Sequence, residues 1–181
     1  MFRLNGECRD TIKYNLKQDY PNEGVLFIDL MPTFMDIKLM NKLADTIVEA
    51  VESLDIDAVI APESRGYILG TLVAHKLNAN IIPVRKHGKL PEDFIQGSYT
   101  YDTEYSTATL DLPKCDLKDK NCLFVDDVYA LGGTYYACKR LVELAGGKVF
   151  GGACIYNVGL NDNPEIISFL FPEDLDKNNI L

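Results

Sequence analysis

Cys122-Leu-Phe-Val-Asp-Asp-Val-Tyr-Ala-Leu-Gly-Gly-Thr134 is the stretch that decides how this chain is read. Leu123, Phe124 and Val125 form an apolar run that can be buried on both faces of a parallel sheet. Asp126 and Asp127 then fall at the carboxyl end of that strand, where open α/β sheets hold their ligands. Gly132 and Gly133 let the backbone come close. Thr134 heads a helical run through Tyr135, Leu141 and Leu144 to Gly146 and Gly147, so free N–H groups and the positive end of a helix dipole face the loop. That environment suits a phosphate, and the acid pair suits the hydroxyls or the metal of a ribose. The plain alternative is an ordinary strand-to-helix connection with an Asp at a cap position. A Walker A loop is excluded because no Lys follows the second glycine, and the spacing is not G-x-G-x-x-G.

Outward from this stretch, strand and helix patterns alternate. Leu39, Leu43, Ile47, Val51 and Leu54 have helical spacing, Ala58 to Ala61 reads as a short buried strand, Ile68 to Leu77 as a helix and Asn80 to Val84 as a strand. Gly151 to Tyr156 is a further strand, and Tyr99 to Leu112 alternates as a hairpin does. From His87 to Gly97 the sequence is polar with little periodicity, which makes it a candidate lid. The fold class expected is α/β, a Rossmann-like, mostly parallel sheet with helices on both faces, in one domain over 1–181. The tail from Pro172 is acidic and polar, and its structural role is open.

Composition narrows the function classes. With 181 residues and 47% hydrophobic content the chain can bury a full core. A net charge of -9 argues against nucleic acid as a partner, since that affinity depends on clustered Lys and Arg. The start of the chain has no signal-peptide pattern and no apolar run reaches the roughly 20 residues of a membrane span, so no membrane partner is expected. The five cysteines, Cys8, Cys115, Cys122, Cys138 and Cys154, have neither C-x-x-C spacing nor an even count. Reduced thiols in a cytoplasmic protein are the plain reading.

Three further loops carry charge where it matters. Pro62-Glu-Ser-Arg-Gly66 follows the strand that ends at Ala61, with backbone N–H groups at Ser64 and Gly66 and the guanidinium fork of Arg65 as anion ligands. Its bland alternative is an Arg65 pair with Glu63 across a tight turn. Arg85-Lys-His-Gly-Lys-Leu-Pro91 is the densest positive cluster in an acidic chain, and a polyanion would need it for steering and neutralisation; a solvated basic face is the alternative. His87 receives no role. Glu104-Tyr105, inside the hairpin, gains meaning only in company.

In order and spacing together, these segments resemble the type I phosphoribosyltransferases, and within them the adenine phosphoribosyltransferases. The resemblance runs from Tyr20-Pro-Asn-Glu-Gly-Val-Leu-Phe-Ile-Asp29 through Glu63 to Gly66, Arg85 to Pro91 and Ser98 to Tyr105, and ends on the Asp126 to Thr134 loop. It implies transfer of the 5-phosphoribosyl group from phosphoribosyl pyrophosphate, with Mg2+ carried by the substrate, to a purine nitrogen, in a homodimer. On this resemblance Asp126 and Asp127 hold the ribose, and Ala130, Leu131, Gly132, Gly133 and Thr134 cradle the 5-phosphate. Glu63, Ser64, Arg65, Arg85, Lys86, Lys89 and Tyr105 serve the pyrophosphate. Glu104 is the catalytic acid or base, with Asp127, Arg65 and Lys89 also catalytic. Leu26, Phe27, Ile28 and Val128 surround the base, which Phe27 stacks on and the backbone of Leu26 and Ile28 reads. The resemblance further implies a hood over residues 1–35, a lid over 87–105 that excludes water, and a cis peptide at Glu63–Ser64 that aims an N–H at the leaving group.

Three residues depart from the family pattern. Ile28 stands where Arg is usual, Ser106 replaces a common Gly, and Leu131 stands where the phosphate loop normally carries Thr. Leu131 removes a hydroxyl donor to the phosphate, a loss on the order of 1–2 kcal/mol if nothing replaces it. Two other readings stay open: a transferase for hypoxanthine, guanine or xanthine, and a phosphoribosyl pyrophosphate-binding regulator without turnover, which needs neither Glu104 nor a basic lid.

Overall fold

A computed structural model describes residues 2–4, 6–102 and 107–176. The chain runs β1 (Phe2–Arg3), α1 (Gly6–Arg9), β2 (Asn15–Gln18), β3 (Leu26–Asp29), α2 (Met31–Phe34), α3 (Ile37–Ala50), β4 (Ala58–Pro62), α4 (Gly66–Leu77), β5 (Asn80–Lys86), β6 (Ile95–Asp102), β7 (Thr107–Pro113), β8 (Asn121–Val125), β9 (Val128–Tyr129), α5 (Gly133–Leu144), β10 (Lys148–Asn157) and β11 (Ile166–Leu170). One sheet has the order β1-β11-β10-β8-β4-β5-β7-β6, with β9 beside β10. Pairing is parallel from β1 to β5 and antiparallel from β5 through β7 to β6. The mostly parallel α/β architecture is the one the sequence pattern implies.

The alternation within β8 explains why helices cover both faces. Leu123 and Val125 point into a core with Leu43 and Ile47 of α3 and Leu69 and Val73 of α4. Phe124, between them, points into a second core with Tyr135 and Leu141 of α5 and Leu110 and Leu112 of β7. A strand buried on both sides needs apolar residues at every position, and all five residues of its neighbour β4 are buried. Helix α3 starts where the Asp36 carboxylate accepts from the Lys38 and Leu39 N–H groups, at 3.1 Å each. Helix α4 stops at Asn78, whose φ of 53° ends it in the left-handed conformation.

Several elements carry no clear sequence signal. The antiparallel pair β2–β3 is a separate two-stranded sheet packed on the core through Leu16 and Ile28. The stretch from His87 to Gly97 is more ordered than its composition implies: it holds a short 3-10 turn, Glu92–Phe94, and the start of β6. The acidic tail has a structural role. Arg3 pairs with Asp174 at 2.6 Å and with Glu173, while Arg9 reaches Asp174 at 3.5 Å, fastening the tail to the first elements of the chain. All five cysteines are free thiols. Among the described residues no helix is long and apolar enough to cross a membrane.

Helix α4 packs close on β4 because Gly70 has no side chain; a Cβ there would lie 2.8 Å from the Ala61 Cβ. Gly70→Val should therefore cost at least about 1–3 kcal/mol by overpacking, seen as a lower urea midpoint with an unchanged slope.

Candidate active site

Two strand-to-helix loops open at the carboxyl edge of adjacent strands: Glu63–Arg65 between β4 and α4, and residues 126–132 between β8 and α5. Together with the end of β5 and the β6–β7 hairpin they enclose a cavity of about 570 Å³ lined by Glu63, Ser64, Arg65, Lys86, Asp126 and Asp127, among others. The Glu63–Ser64 peptide is cis. A second cavity of about 240 Å³ lies against residues 130–134, and Tyr101, Val128 and Thr134 border both.

The acid pair is the most perturbed part of the site. Asp126 N–H donates to Ala153 O, and Ile155 and Tyr156 N–H both donate to Asp127 O, so β10 fixes the backbone of both residues. Asp127 N–H donates to Asp126 Oδ1 at 2.9 Å. Burial pushes the Asp126 carboxyl well above the usual carboxylate range, and the neighbouring Asp127 charge adds to this. Burial also raises Asp127, against the opposing pull of Arg65. Arg65 Nε lies 2.9 Å from Asp127 Oδ2, but its N–H is not aimed at that oxygen, which is buried without a hydrogen-bond donor. Gly66 is required here for packing: a Cβ would lie 2.8 Å from the Pro62 ring and 3.0 Å from Asp126 Oδ1.

The cradle beside the pair depends on its glycines. Gly132 has φ of 87°, the left-handed region, and precedes the first turn of α5. Gly133 has the hairpin directly over it, since a Cβ there would meet the Tyr101 ring at 2.7 Å and the Asp102 carbonyl at 2.8 Å. Behind the loop, Asn161 Nδ2 donates to Leu131 O at 3.0 Å, and Asn163 Nδ2 donates to the Tyr129 hydroxyl at 3.3 Å. The buried Tyr135 ring supports Phe124 and Tyr129 edge-on, and its hydroxyl donates to Glu165 at 2.6 Å. Tyr101, Tyr129, Asn161 and Asn163 were not legible as site residues: each becomes relevant only through contacts with elements distant in sequence.

The basic cluster divides. Arg85 Nε pairs with Glu63 at 3.1 Å, and Lys86 N–H donates to the same Glu63 oxygen at 3.0 Å, so Glu63 is held below its usual pKa, chiefly by the Lys86 amide. Glu63 therefore pairs with Arg85, and Arg65 turns to Asp127 instead of pairing with Glu63. Lys86 and His87 line the large cavity. Arg85 and Lys89 are not among its lining residues, and Lys89 is exposed in the turn after β5. His87 Nδ1 lies 3.1 Å from the buried Asp111 carboxylate, which also accepts from Ser98 Oγ at 2.6 Å. Glu104, Tyr105 and Ser106 lie outside the described residues.

Ile28 is 5% exposed and its side chain belongs to the core, so only its backbone is available to a ligand. Phe27 lies on the other face of β3, edge-on to Tyr20 with ring centroids 5.0 Å apart, in a cavity of about 310 Å³ with Asn15, Lys17 and Asp29. Val128 lines the two cavities of the acid pair and the cradle rather than this one.

A doubly covered parallel sheet with an acid pair and a phosphate-type cradle at its carboxyl edge defines the class of the phosphoribosyltransferases, and comparison with known proteins agrees. The sequence model of the phosphoribosyl transferase domain matches residues 36–168. Adenine phosphoribosyltransferase of Corynebacterium glutamicum is 37% identical over 159 residues, covering 83% of this chain and 85% of that protein. The crystal structure of adenine phosphoribosyltransferase from Thermoanaerobacter pseudethanolicus superposes with a TM-score of 0.83 at 34% identity, over 90% of this chain and 99% of that one. That of Saccharomyces cerevisiae adenine phosphoribosyltransferase, complexed with an imino-altritol 1,6-bisphosphate and adenine, gives 0.82 at 28%, over 92% and 100%. The chain belongs to the phosphoribosyltransferase family, in its adenine phosphoribosyltransferase branch.

The acid pair has a measurable consequence. A carboxyl whose folded pKa lies above its unfolded value takes up a proton on folding; the resulting stability is present at low pH and is lost as pH rises through the folded value. At neutral pH the ligand-free protein thus carries a penalty from the pair. Asp126→Asn should raise its melting temperature at pH 7 by about 2–4 °C, the shift that 1 kcal/mol gives in a domain of this size, and by much less at pH 4. An equal gain at both pH values would contradict the buried-pair assignment.

Proposed function

We propose that this chain transfers the 5-phosphoribosyl group of phosphoribosyl pyrophosphate to adenine, giving AMP and pyrophosphate. The observation that carries the reading is the cavity between two loops: the acid pair and the α5 cradle on one side, the Ser64–Arg65 loop on the other. An anion-type loop on each side of the acid pair suits a sugar bearing an anionic group at each end. The relatives are named for adenine as substrate, and the yeast structure holds adenine together with an imino-altritol 1,6-bisphosphate.

In this reading the bond from the anomeric carbon to the diphosphate oxygen breaks, its electron pair leaves with pyrophosphate, and a bond to the purine nitrogen forms. Ala130 to Thr134 hold the 5-phosphate through backbone N–H groups and the helix dipole. Asp126 and Asp127 accept from the ribose hydroxyls and favour the positive charge that develops at the anomeric carbon. Arg65, Ser64 and Lys86 receive the diphosphate, with Arg85 and Lys89 as further cations of the same cluster. Leu26, Phe27, Ile28 and Val128 serve the base, Glu104 handles its proton, and Tyr105 belongs to the lid.

Among the described residues there is no group of three His, Cys, Asp or Glu side chains able to hold a metal by themselves. The donor set fits Mg2+ that keeps substrate oxygens and waters as its main ligands: hard carboxylate oxygens face the cavity, and Asp127 Oδ2 is buried without a donor. When bound, the ion neutralises the departing pyrophosphate. The reading also includes a single domain with a hood over 1–35 and a lid over 87–105, assembled as a homodimer.

The test is pyrophosphate release from phosphoribosyl pyrophosphate and Mg2+ with adenine, guanine, hypoxanthine, xanthine or no base. Release should require adenine and cease with excess chelator. Turnover of guanine or hypoxanthine without adenine would give the site to another purine, and binding without release on any base would make the chain a sensor. Glu104→Gln should lower turnover while sugar-phosphate binding changes little; an equal loss of both would remove Glu104 from the base.

A further inference from the structure

Resting on the reading of the α5 cradle as the 5-phosphate site, we infer that Tyr101 supplies that phosphate with a hydroxyl donor which the loop itself lacks at Leu131. The Leu131 side chain is 44% exposed at the rim of the smaller cavity and offers no polar atom. Within the loop, the Tyr129 hydroxyl already accepts from Asn161 and Asn163, and Thr134 Oγ1 has the Tyr101 hydroxyl 3.0 Å away. Tyr101 reaches this place from the end of β6, a strand of the neighbouring hairpin, and its ring rests on Gly133 so closely that a Cβ there would come within 2.7 Å of it. The ring is therefore positioned by the cradle's own backbone.

The chemistry follows from the pair. Of two hydroxyls bonded to each other, one spends its proton on the bond and the other keeps a proton to give. A phosphate dianion between them has oxygens enough to accept from both, and a hydroxyl bond to an anion is stronger than the neutral bond it replaces. Burial pushes the phenol pKa above its ordinary value, so the group stays a donor at neutral pH. Tyr101 borders both cavities, so it stands where the cradle meets the larger cavity, with its hydroxyl at Thr134 in the first turn of α5. A Thr at 131 would act from within the loop; Tyr101 acts from across it.

Isothermal titration of the whole chain with ribose 5-phosphate and, separately, with pyrophosphate tests this on the wild type, Tyr101→Phe, Leu131→Thr and the double variant. Tyr101→Phe should weaken ribose 5-phosphate binding about tenfold, the loss of one hydrogen bond to a charged group, and leave pyrophosphate binding within about twofold. Leu131→Thr should restore most of the loss in the Tyr101→Phe background and add less in the wild type. The inference is overturned if Tyr101→Phe binds ribose 5-phosphate as well as or better than the wild type, if pyrophosphate binding falls equally, or if Leu131→Thr recovers nothing. Wild-type protein that binds no ribose 5-phosphate would overturn the cradle reading itself, and the role of Tyr101 with it.

Discussion

Two carboxylates held side by side at the end of a buried strand are the constraint around which this structure is arranged. Asp126 and Asp127 cannot move away from each other, because β10 fixes the backbone of both through the Ala153 carbonyl and the Ile155 and Tyr156 amides. Nor can they be fully paired, since Arg65 reaches only one of them. Burial raises both pKa values and the Asp127 charge raises Asp126 further, so the ligand-free site is in an unfavourable state that groups donating hydrogen bonds, or a cation, would relieve. The strand order has the same effect: β8 lies between β4 and β10, so the loop after β4 must open beside the loop after β8. Charge and topology thus converge on one cavity.

The fold was legible where burial sets the pattern. A strand covered on both faces must be apolar throughout, and β4 and β8 announce themselves in Ala58 to Ala61 and Leu123 to Val125. The apolar stripe of α3 is equally clear. Legibility fails for elements whose burial is one-sided or late: β2 and β3 are four residues each, β9 is two, and β11 is recognisable only once β10 is in place beside it. Short strands lack the length over which periodicity can be read, and their pairing partners lie far away in sequence.

The site divides in the same way. Residues that act through the backbone or through a fixed charge at a strand end, such as Asp126, Asp127, Gly132 and Ser64, are readable because the strand-to-helix junction alone places them. Arg85 and Arg65 were readable as charges but not as partners: Glu63 takes the first and Asp127 the second. Tyr101, Asn161 and Asn163 gave no signal, because a tyrosine in a hairpin or an asparagine after a strand acquires meaning only from what it touches. Leu131 and Ile28, the departures from the family pattern, find different physical answers. Ile28 is absorbed by the core, whereas Leu131 leaves an apolar side chain beside an anion cradle that the Thr134 and Tyr101 hydroxyls also border.

The most direct test of the two-loop site is a crystal structure of this chain with AMP, a compound that carries the base, the ribose and the 5-phosphate together. The phosphate should lie against the backbone N–H groups of residues 131–134, with the ribose hydroxyls on Asp126 and Asp127 and the Ser64–Arg65 loop left open for pyrophosphate. A phosphate bound at Ser64 and Arg65, with the α5 cradle empty, would reverse the assignment of the two loops and contradict the account.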